Sequence, residues 1–493
     1  MEKELFGDLE DILETILPDS SDSIVMTDEF RDCVLDIIHE YMQDNVHTMM
    51  DEDFHEVLLE NIFELVRCQF EKEIKFYEYE LFQDKIIELV EEYYDSVLPG
   101  RSCSDDYRNN KTLRLSRVSS YVTGLQKTLN ILRAKPQPEQ RTAEWYSFRH
   151  NLITASNAYK ALMEENCSEY NQLIYEKCQP LKVPSIKEDE NSVVNVDTTL
   201  HWGQKIEPVS VLIYEDMYCT TIEDFGCVQH SNYKFIGASP DGINVSKRNP
   251  EFYGRMLEIK NIVNRDITGI PKLEYWVQMQ LQMETSDLPE CDFFETRIKE
   301  YENETKYLEG VEDDNHIAIN VNTGDTDSRY QGVIMYFSKK GKPEYRYSPL
   351  NIKEDELRKW EEDTKTTESV DPEIVWVKNI YWYLEEFSCV LVMRNKKWFS
   401  SVIPIMSKAW DTIEKERMEG YEHRAPMKRT PKKPKQPDNL GCLLTINKSN
   451  ESVAVNDGTI MSCFNLQNAR LRTESIDETR DKMNIPNDDK NNT

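Results

Sequence analysis

The stretch FIGASPDGINV at residues 235–245, followed by MLEIKNIV at 256–263, decides how this chain is read. Both segments alternate with the period of two that marks a strand, which puts Glu258 and Lys260 on one face and Ile259 on the other. Asp241 stands directly after Pro240, where the first apolar pattern ends. If the two strands are antiparallel neighbours, Asp241 comes to lie beside Glu258 and Lys260. Two carboxylates on adjacent strands suit a hard cation such as Mg2+ or Mn2+, which takes oxygen ligands and keeps several waters. Such a cation polarises a phosphate and lowers the pKa of a bound water, while a neighbouring ammonium stabilises charge in the transition state. The backbone carbonyl of Ile259 is a further candidate ligand. A Glu-x-Lys pair alone is commonly a surface ion pair, and Asp-Gly alone is a common hairpin turn. Only their combination points to chemistry.

Three neighbouring segments extend the pattern. HWGQKIEPVSVLIYE at 201–215 reads as a helix carrying Glu207, a candidate metal ligand or an orienter of one, although such an acid alone reads as solvent-facing. EYWVQMQLQM at 274–283 reads as a helix with Gln278 and Gln282 on one face, four residues apart, suited to holding a water or a phosphate. In EWYSFRHNLITASNAYKAL at 144–162, Arg149 is a candidate phosphate grip, and Thr154 and Ser156 are candidate donors at a helix start. His150 beside Arg149 reads as structural. No His-Glu-x-x-His pattern and no Gly-x-x-x-x-Gly-Lys-Ser/Thr loop is present, which argues against a zinc protease and against an ATP-driven motor.

The net charge of −32 over 493 residues disfavours a nucleic-acid partner only if it is averaged. Residues 1–100 hold 29 Asp plus Glu against 6 Lys plus Arg, whereas residues 101–160 hold 11 basic against 4 acidic residues. The acidity sits in one end, and the chain turns basic where the motifs begin. FRDCVLDIIHEYM and HEVLLENIFELV space their apolar residues at three and four, so 1–97 is expected to be an acidic helical domain, closed by Leu98-Pro99-Gly100. It is a packing module, a partner surface or a mimic of nucleic-acid charge. If it competes for the basic groove, deleting it raises DNA affinity at low salt. Residues 98–138 form a basic linker and helix, in which Arg108, Lys111, Arg114, Arg117, Lys127 and Arg133 are candidate phosphate contacts or a solvated face.

Further along, 139–165 reads as a turn and helix, 200–217 as helix, 219–263 as strands and 273–286 as helix. Strands are expected at 315–321, 331–348 and 388–394, helices at 352–364 and 400–419, and polar loops at 183–199 and 302–314. This mixture is an α/β domain over 139–424 with a mixed sheet. Residues 425–493 read as mostly disordered, and the run Lys428, Arg429, Lys432, Lys433 and Lys435 is a candidate targeting signal or DNA-contacting tail. The eleven cysteines include no Cys-x-x-Cys pair and are expected to be reduced. No apolar run reaches about 18 residues, and the acidic amphipathic start is unlike a secretory signal, so an intracellular protein without a membrane span is expected.

Taken together, these residues resemble the lambda exonuclease/YqaJ-type recombinase family of the PD-(D/E)xK nuclease superfamily. The best match is to the versions of large cytoplasmic DNA viruses, where the block QRTAEWYSFRHNLITASNAYKAL is typical. The resemblance covers roughly 139–300, continues weakly to about 420, and leaves out 1–100 and the tail. It implies a restriction-endonuclease-like α/β core with a mixed sheet flanked by helices. It implies catalytic roles for Asp241, Glu258, Lys260, Glu207 and Gln278, with Gln280 following, and binding of a DNA 5′-phosphate by Arg149, Ser156 and Ser239. The metal ligands would be Asp241, Glu258, the Ile259 carbonyl and Glu207, with Mg2+ or Mn2+ as cofactor. It also implies a DNA exonuclease, 5′→3′ on duplex ends, in viral recombination, replication or repair. A single-strand annealing protein is an implied partner, and some relatives form a trimeric ring. A viral factory in the host cytoplasm, the virion or the nucleus is the expected place. The alternatives are an endonuclease of the same fold and a non-catalytic DNA-associated virion protein. His150, where many relatives have glycine, and the long loop before Glu207 depart from the pattern.

Overall fold

The computed structural model describes residues 23–75, 78–102, 119–138, 142–181, 198–312, 318–327 and 330–426. The basic residues Arg108, Lys111, Arg114 and Arg117, nearly all of the 183–199 loop and the whole run from Lys428 to Lys435 lie outside them.

Three helices open the fold: α1 (Asp28–Asn45), α2 (Phe54–Gln69) and α3 (Tyr79–Ser96). Thr27 caps α1 by accepting from the amide of Phe30 at 3.2 Å. Each buries one apolar stripe, such as Phe30, Val34, Ile38 and Met42 on α1, and turns its acids outward. There follow α4 (Ser119–Ala134), α5 (Ala143–His150), strand β1 (Ile153–Thr154), α6 (Tyr159–Leu162), α7 (Ser168–Cys178) and α8 (Thr199–Met217). Strands β2 (Ile222–Glu223), β3 (Val228–Gln229), β4 (Ile236–Ala238), β5 (Gly242–Asn244) and β6 (Met256–Asn261) lead to α9 (Leu273–Ser286) and β7 (Glu290–Glu300). The remainder is α10 (Glu304–Glu312), β8 (Ala318–Asn320), β9 (Thr326–Asp327), β10 (Gln331–Lys339), β11 (Lys342–Tyr347), α11 (Glu354–Glu368), β12 (Ile374–Met393) and α12 (Lys396–Glu419).

The main sheet runs β11-β10-β12-β7-β6-β5-β2, with β8 joining β12 and β9 joining β8. Its centre is mixed: β5 and β6 are antiparallel, β6 and β7 parallel, β7 and β12 antiparallel. Parallel neighbours need a crossover, and α9 supplies it. A second, three-stranded sheet has the order β1-β4-β3. The expected α/β core, a mixed sheet flanked by helices beside a helical amino-terminal region, is what the chain forms.

Strand β6 shows how the layers are set. Met256 joins the apolar cluster that contains Trp276 and Val277 of α9. Leu257 and Ile259 instead join Ile206, Val209 and Ile213 of α8. Odd and even residues thus face different helices, as the period of two requires. Polar contacts register α8 on the sheet: Ser210 donates to Asn261 at 2.6 Å, and Tyr214 to Asp292 at 2.7 Å. Asp292 also pairs with the buried Arg255, which bonds Glu290 at 3.0 Å.

The amino-terminal helices share their core with the sheet and α12. One apolar cluster runs from Val25 through Phe82 and Trp276 to Ile413. Several expectations change. Residues 302–314 contain the helix α10, not only loop, because Tyr307 is fully buried and draws the segment against Tyr381. The 144–162 block is not one helix but α5, β1, a 3-10 turn at Ala155–Asn157 and α6. The strand expected at 388–394 begins at Ile374, and β7 has no counterpart among the expected strands.

Candidate active site

Helix α9 is buried along nearly its whole length from Trp276 to Ser286, yet it carries Gln278, Gln280, Gln282 and Glu284. Buried polar side chains need partners, and those partners build the site. Gln278 Nε2 donates to Glu258 Oε1 at 2.7 Å, and Gln282 Nε2 donates to Glu258 Oε2 at 2.7 Å. The Lys260 ammonium pairs with Glu258 Oε1 as well. Glu258 is fully buried, so these three donors replace the water its carboxylate loses. Gln280, which the family resemblance set beside Gln278, instead faces away: it donates to the Met393 carbonyl at 2.9 Å and accepts from the Asn395 amide at 2.7 Å. Four residues, not two, return a helix to the same face.

Asp241 arrives from the other side. The Ser239-Pro240-Asp241 segment leaves β4 in the small sheet and enters β5 in the large one, so it bridges the two sheets rather than turning a hairpin. Gly242 makes the passage possible, since a Cβ there would meet Ile222 Cγ2 at 2.1 Å. Asp241 Oδ2 accepts from the Ile259 amide at 2.7 Å, which fixes the carboxylate against the Glu-x-Lys strand. Burial pushes the Asp241 carboxyl well above the usual range, and the charge of Glu258 adds to this against the pull of Lys260. Burial lowers the Lys260 ammonium, but Glu258 and Asp241 outweigh it and hold the group above its usual value. Lys260 also sits 4.8 Å from the Tyr275 ring centroid.

A cavity of about 370 Å3 gathers the motifs. Asp241, Gln278, Glu207, Arg149, Ser156 and Ser239 all line it. A larger cavity of about 870 Å3 between Val97–Pro99, α4 and Met393–Lys397 holds none of them. Arg149 stands at the last turn of α5, its guanidinium 4.6 Å from the Trp145 ring centroid. Its carbonyl accepts from Lys177 Nζ at 2.8 Å. Ser156 lies in the turn after β1, 3.4 Å from Thr154 Oγ1. His150 bonds the Gln179 carbonyl at 2.9 Å, in keeping with a structural reading.

The sequence missed two residues of the cavity wall, and it named Gln282 beside Gln278 without showing that it reaches Glu258. Trp145 lines the cavity, and its Nε1 is buried without a hydrogen-bond partner. Asp224 also lines it, from a segment with no motif.

The donor set fits a hard divalent cation in its chemistry. Asp241 and Glu258 bring two buried carboxylates against the one ammonium of Lys260, an oxygen-rich donor set of the kind such a cation takes. Among the described residues, however, no three His, Cys, Asp or Glu side chains converge as a metal cluster. Glu207 is thus not drawn into one group with the other two. No helix among the described residues is long and apolar enough to cross a membrane.

Comparison with known proteins places a similarity over the same part of the chain. Residues 144–289 match the family model of the YqaJ-like viral recombinase domain. An uncharacterized protein of Acanthamoeba polyphaga mimivirus, R354, is 28% identical over 312 residues, covering 58% of this chain and 54% of its own. The chain therefore spans about half the length of that curated relative. The crystal structure of an alkaline exonuclease, LHK-Exo, from Laribacter hongkongensis matches 56% of this chain and 94% of its own at 16% identity and a TM-score of 0.31. A structure of LHK-Exo in complex with dAMP gives the same figures. Within the α/β core, residues 144–289 are thus similar to the YqaJ-like viral recombinase domain.

Proposed function

We propose that the chain is a metal-dependent DNA exonuclease that works 5′→3′ from duplex ends. The observation that supports this most is the shared cavity where Asp241 and Gln278, the partner of Glu258, meet Arg149, Ser156 and Ser239. A carboxylate site and a phosphate grip in one space suit an enzyme that cuts beside a terminal phosphate.

Asp241, Glu258 and the Ile259 carbonyl, with Glu207 nearby, would hold Mg2+ or Mn2+. When bound, the cation supplies a polarised phosphate and a water of lowered pKa. Lys260, paired with Glu258, assists the attacking water and stabilises charge on the phosphate oxygens. Gln278 holds Glu258 in place and presents its amide to the cavity. Arg149, braced by the Trp145 ring and by Lys177, pairs with the terminal phosphate, and Ser156, Ser239 and Trp145 Nε1 add donors.

In this reading residues 139–424 are the nuclease domain, buttressed by the acidic helices of 1–97 through the 98–138 segment. The role is recombination, replication or repair of viral DNA in a cytoplasmic factory, the virion or the nucleus. The viral relative and the recombinase-domain match support the DNA role; a single-strand annealing protein and a ring of copies complete the proposal. The test is cleavage of 5′-phosphorylated, 5′-hydroxyl and circular duplex DNA with Mg2+. Digestion of linear DNA alone, fastest from the phosphorylated end, is expected. Digestion of circles assigns the endonuclease alternative, and no digestion leaves the non-catalytic virion protein.

A further inference from the structure

The Gln282 side chain joins the two halves of the site. One amide hydrogen of Nε2 goes to Glu258 Oε2 at 2.7 Å, the other to the backbone carbonyl of Ser239 at 3.1 Å. Both partners are acceptors, so the orientation of the amide is fixed: turned over, its oxygen would face two oxygens. The residue is fully buried, and its Oε1 has no hydrogen-bond partner. A buried amide that leaves its own oxygen unmatched in order to span two acceptors is held there by those two contacts.

The partners lie on different parts of the fold. Ser239 stands in the segment that passes from the small sheet to the large one, and it lines the cavity with Arg149 and Ser156. Glu258 lies on β6, with its other oxygen taken by Gln278 and Lys260. Among the described residues, the Ser239 hydroxyl reaches the Phe225 carbonyl, at 3.5 Å, the outer limit of a hydrogen bond. A shift of the Ser239 backbone when a phosphate engages the cavity therefore reaches Glu258 through one side chain.

We infer that Gln282 is a positioning residue that couples occupation of the terminal-phosphate pocket to the placement of the Glu258 carboxylate. The inference rests on the exonuclease reading above. It makes the preference for phosphorylated ends a property of turnover as well as of binding. Gln278 cannot do this, because its amide contacts Glu258 and not Ser239.

The experiment measures kcat and KM on 5′-phosphorylated and 5′-hydroxyl duplexes for the wild type, Gln282→Met, Ser239→Ala and the double variant. Methionine keeps the length and removes both donors. The preference for the phosphorylated end is expected to fall about tenfold in Gln282→Met, in kcat, with KM changed less than about twofold. The two substitutions are expected to be non-additive, Gln282→Met costing little of the remaining preference once Ser239 is alanine. Mn2+ affinity by calorimetry, which needs no turnover, is expected to weaken several-fold in Gln282→Met. If thermal melting shows that Gln282→Met does not fold, Gln282→His keeps one donor and is expected to show a smaller loss in the same sense. Unchanged preference in the variant that folds, or additive effects, overturns the coupling. A wild type that cuts both ends equally also overturns it while leaving the nuclease reading intact. A wild type that cuts nothing removes the nuclease reading itself.

Discussion

Trp276 Nε1 donates to the backbone carbonyl of Arg101 at 2.7 Å, and this bond ties the back of α9 to the amino-terminal region. Arg101 in turn donates to the Met50 carbonyl at 3.1 Å, and Trp276 packs edge-on against Trp398 at 4.9 Å between ring centroids. One side of α9 faces Glu258 while the other is held by Arg101 and by Trp398 of α12. Trp276→Phe is expected to cost about 1–3 kcal/mol by urea denaturation, since a buried carbonyl loses its donor. Deletion of residues 1–102 is expected to give a protein that aggregates or melts without a cooperative transition, because Val25 through Leu98 belong to the common core. A soluble, cooperatively melting fragment 103–426 would show that the amino-terminal helices are an independent appendage.

Asp241 is expected to trade stability for function. Its raised pKa means that the folded protein disfavours the charged form. Asp241→Asn keeps an acceptor for the Ile259 amide and removes the charge. It is expected to stabilise the metal-free protein by about 1 kcal/mol while cutting kcat by at least about a thousandfold. Paired thermal melts and cleavage rates check both. A destabilised variant with unchanged cleavage contradicts the assignment.

Lys177 provides a pH signature near Arg149. Burial, aided by the Arg149 charge, lowers its ammonium to about 8 from 10.5. A depressed folded pKa means that the unfolded chain binds the extra proton between these values, so stability rises with pH across that window. The cost of burying the charge is present in full below about 8 and relieved above 10.5. It amounts to something on the order of 3 kcal/mol. Relative to Lys177→Met, the wild type is expected to gain stability between pH 8 and 10.5 in denaturant titrations. A constant difference across that range would count against a charged, buried Lys177.

The Arg255 cluster behind the site is expected to be sensitive to loss of one partner. Asp292 is fully buried and bonded by Tyr214 and Arg255. Arg255→Met leaves a buried carboxylate short of its cation and is expected to cost about 3–5 kcal/mol. Arg255→Met/Asp292→Leu removes one of the two buried carboxylates together with the cation but leaves Glu290 without Arg255, so it is expected to recover only part of that loss in the same urea titrations. Equal destabilisation by the single and double substitutions would contradict a paired role.

Much of this arrangement is legible in the amino-acid sequence. The alternation in MLEIKNIV fixes which of Glu258, Ile259 and Lys260 share a face, and the helix expected at 273–286 has the same ends as α9. What stayed hidden has physical causes. Strand β7 is buried over Glu290–Thr296 on both faces, so it shows no alternation to read. Strand β12 runs twenty residues through changing surroundings, exposed near Trp376 and buried near Leu391, and only its last part looks like a strand. The helix period sets Gln282 rather than Gln280 beside Gln278, but that this face meets Glu258 depends on how α9 is rotated over β6, which tertiary packing decides. Asp224 and Trp145 enter the cavity through chain segments whose ends carry no local signal.

In the proposed mechanism Asp241, Glu258 and Lys260 cut DNA beside a terminal phosphate held by Arg149. The most direct test is Mg2+-dependent release of nucleotides from a linear duplex with one 5′-phosphorylated and one 5′-hydroxyl end, for the wild type, Lys260→Ala and Arg149→Ala. Release from the phosphorylated end is predicted for the wild type, with at least about a thousandfold loss in Lys260→Ala and a loss of end preference in Arg149→Ala. Cleavage that survives Lys260→Ala, or that proceeds equally without a divalent cation, would contradict the account.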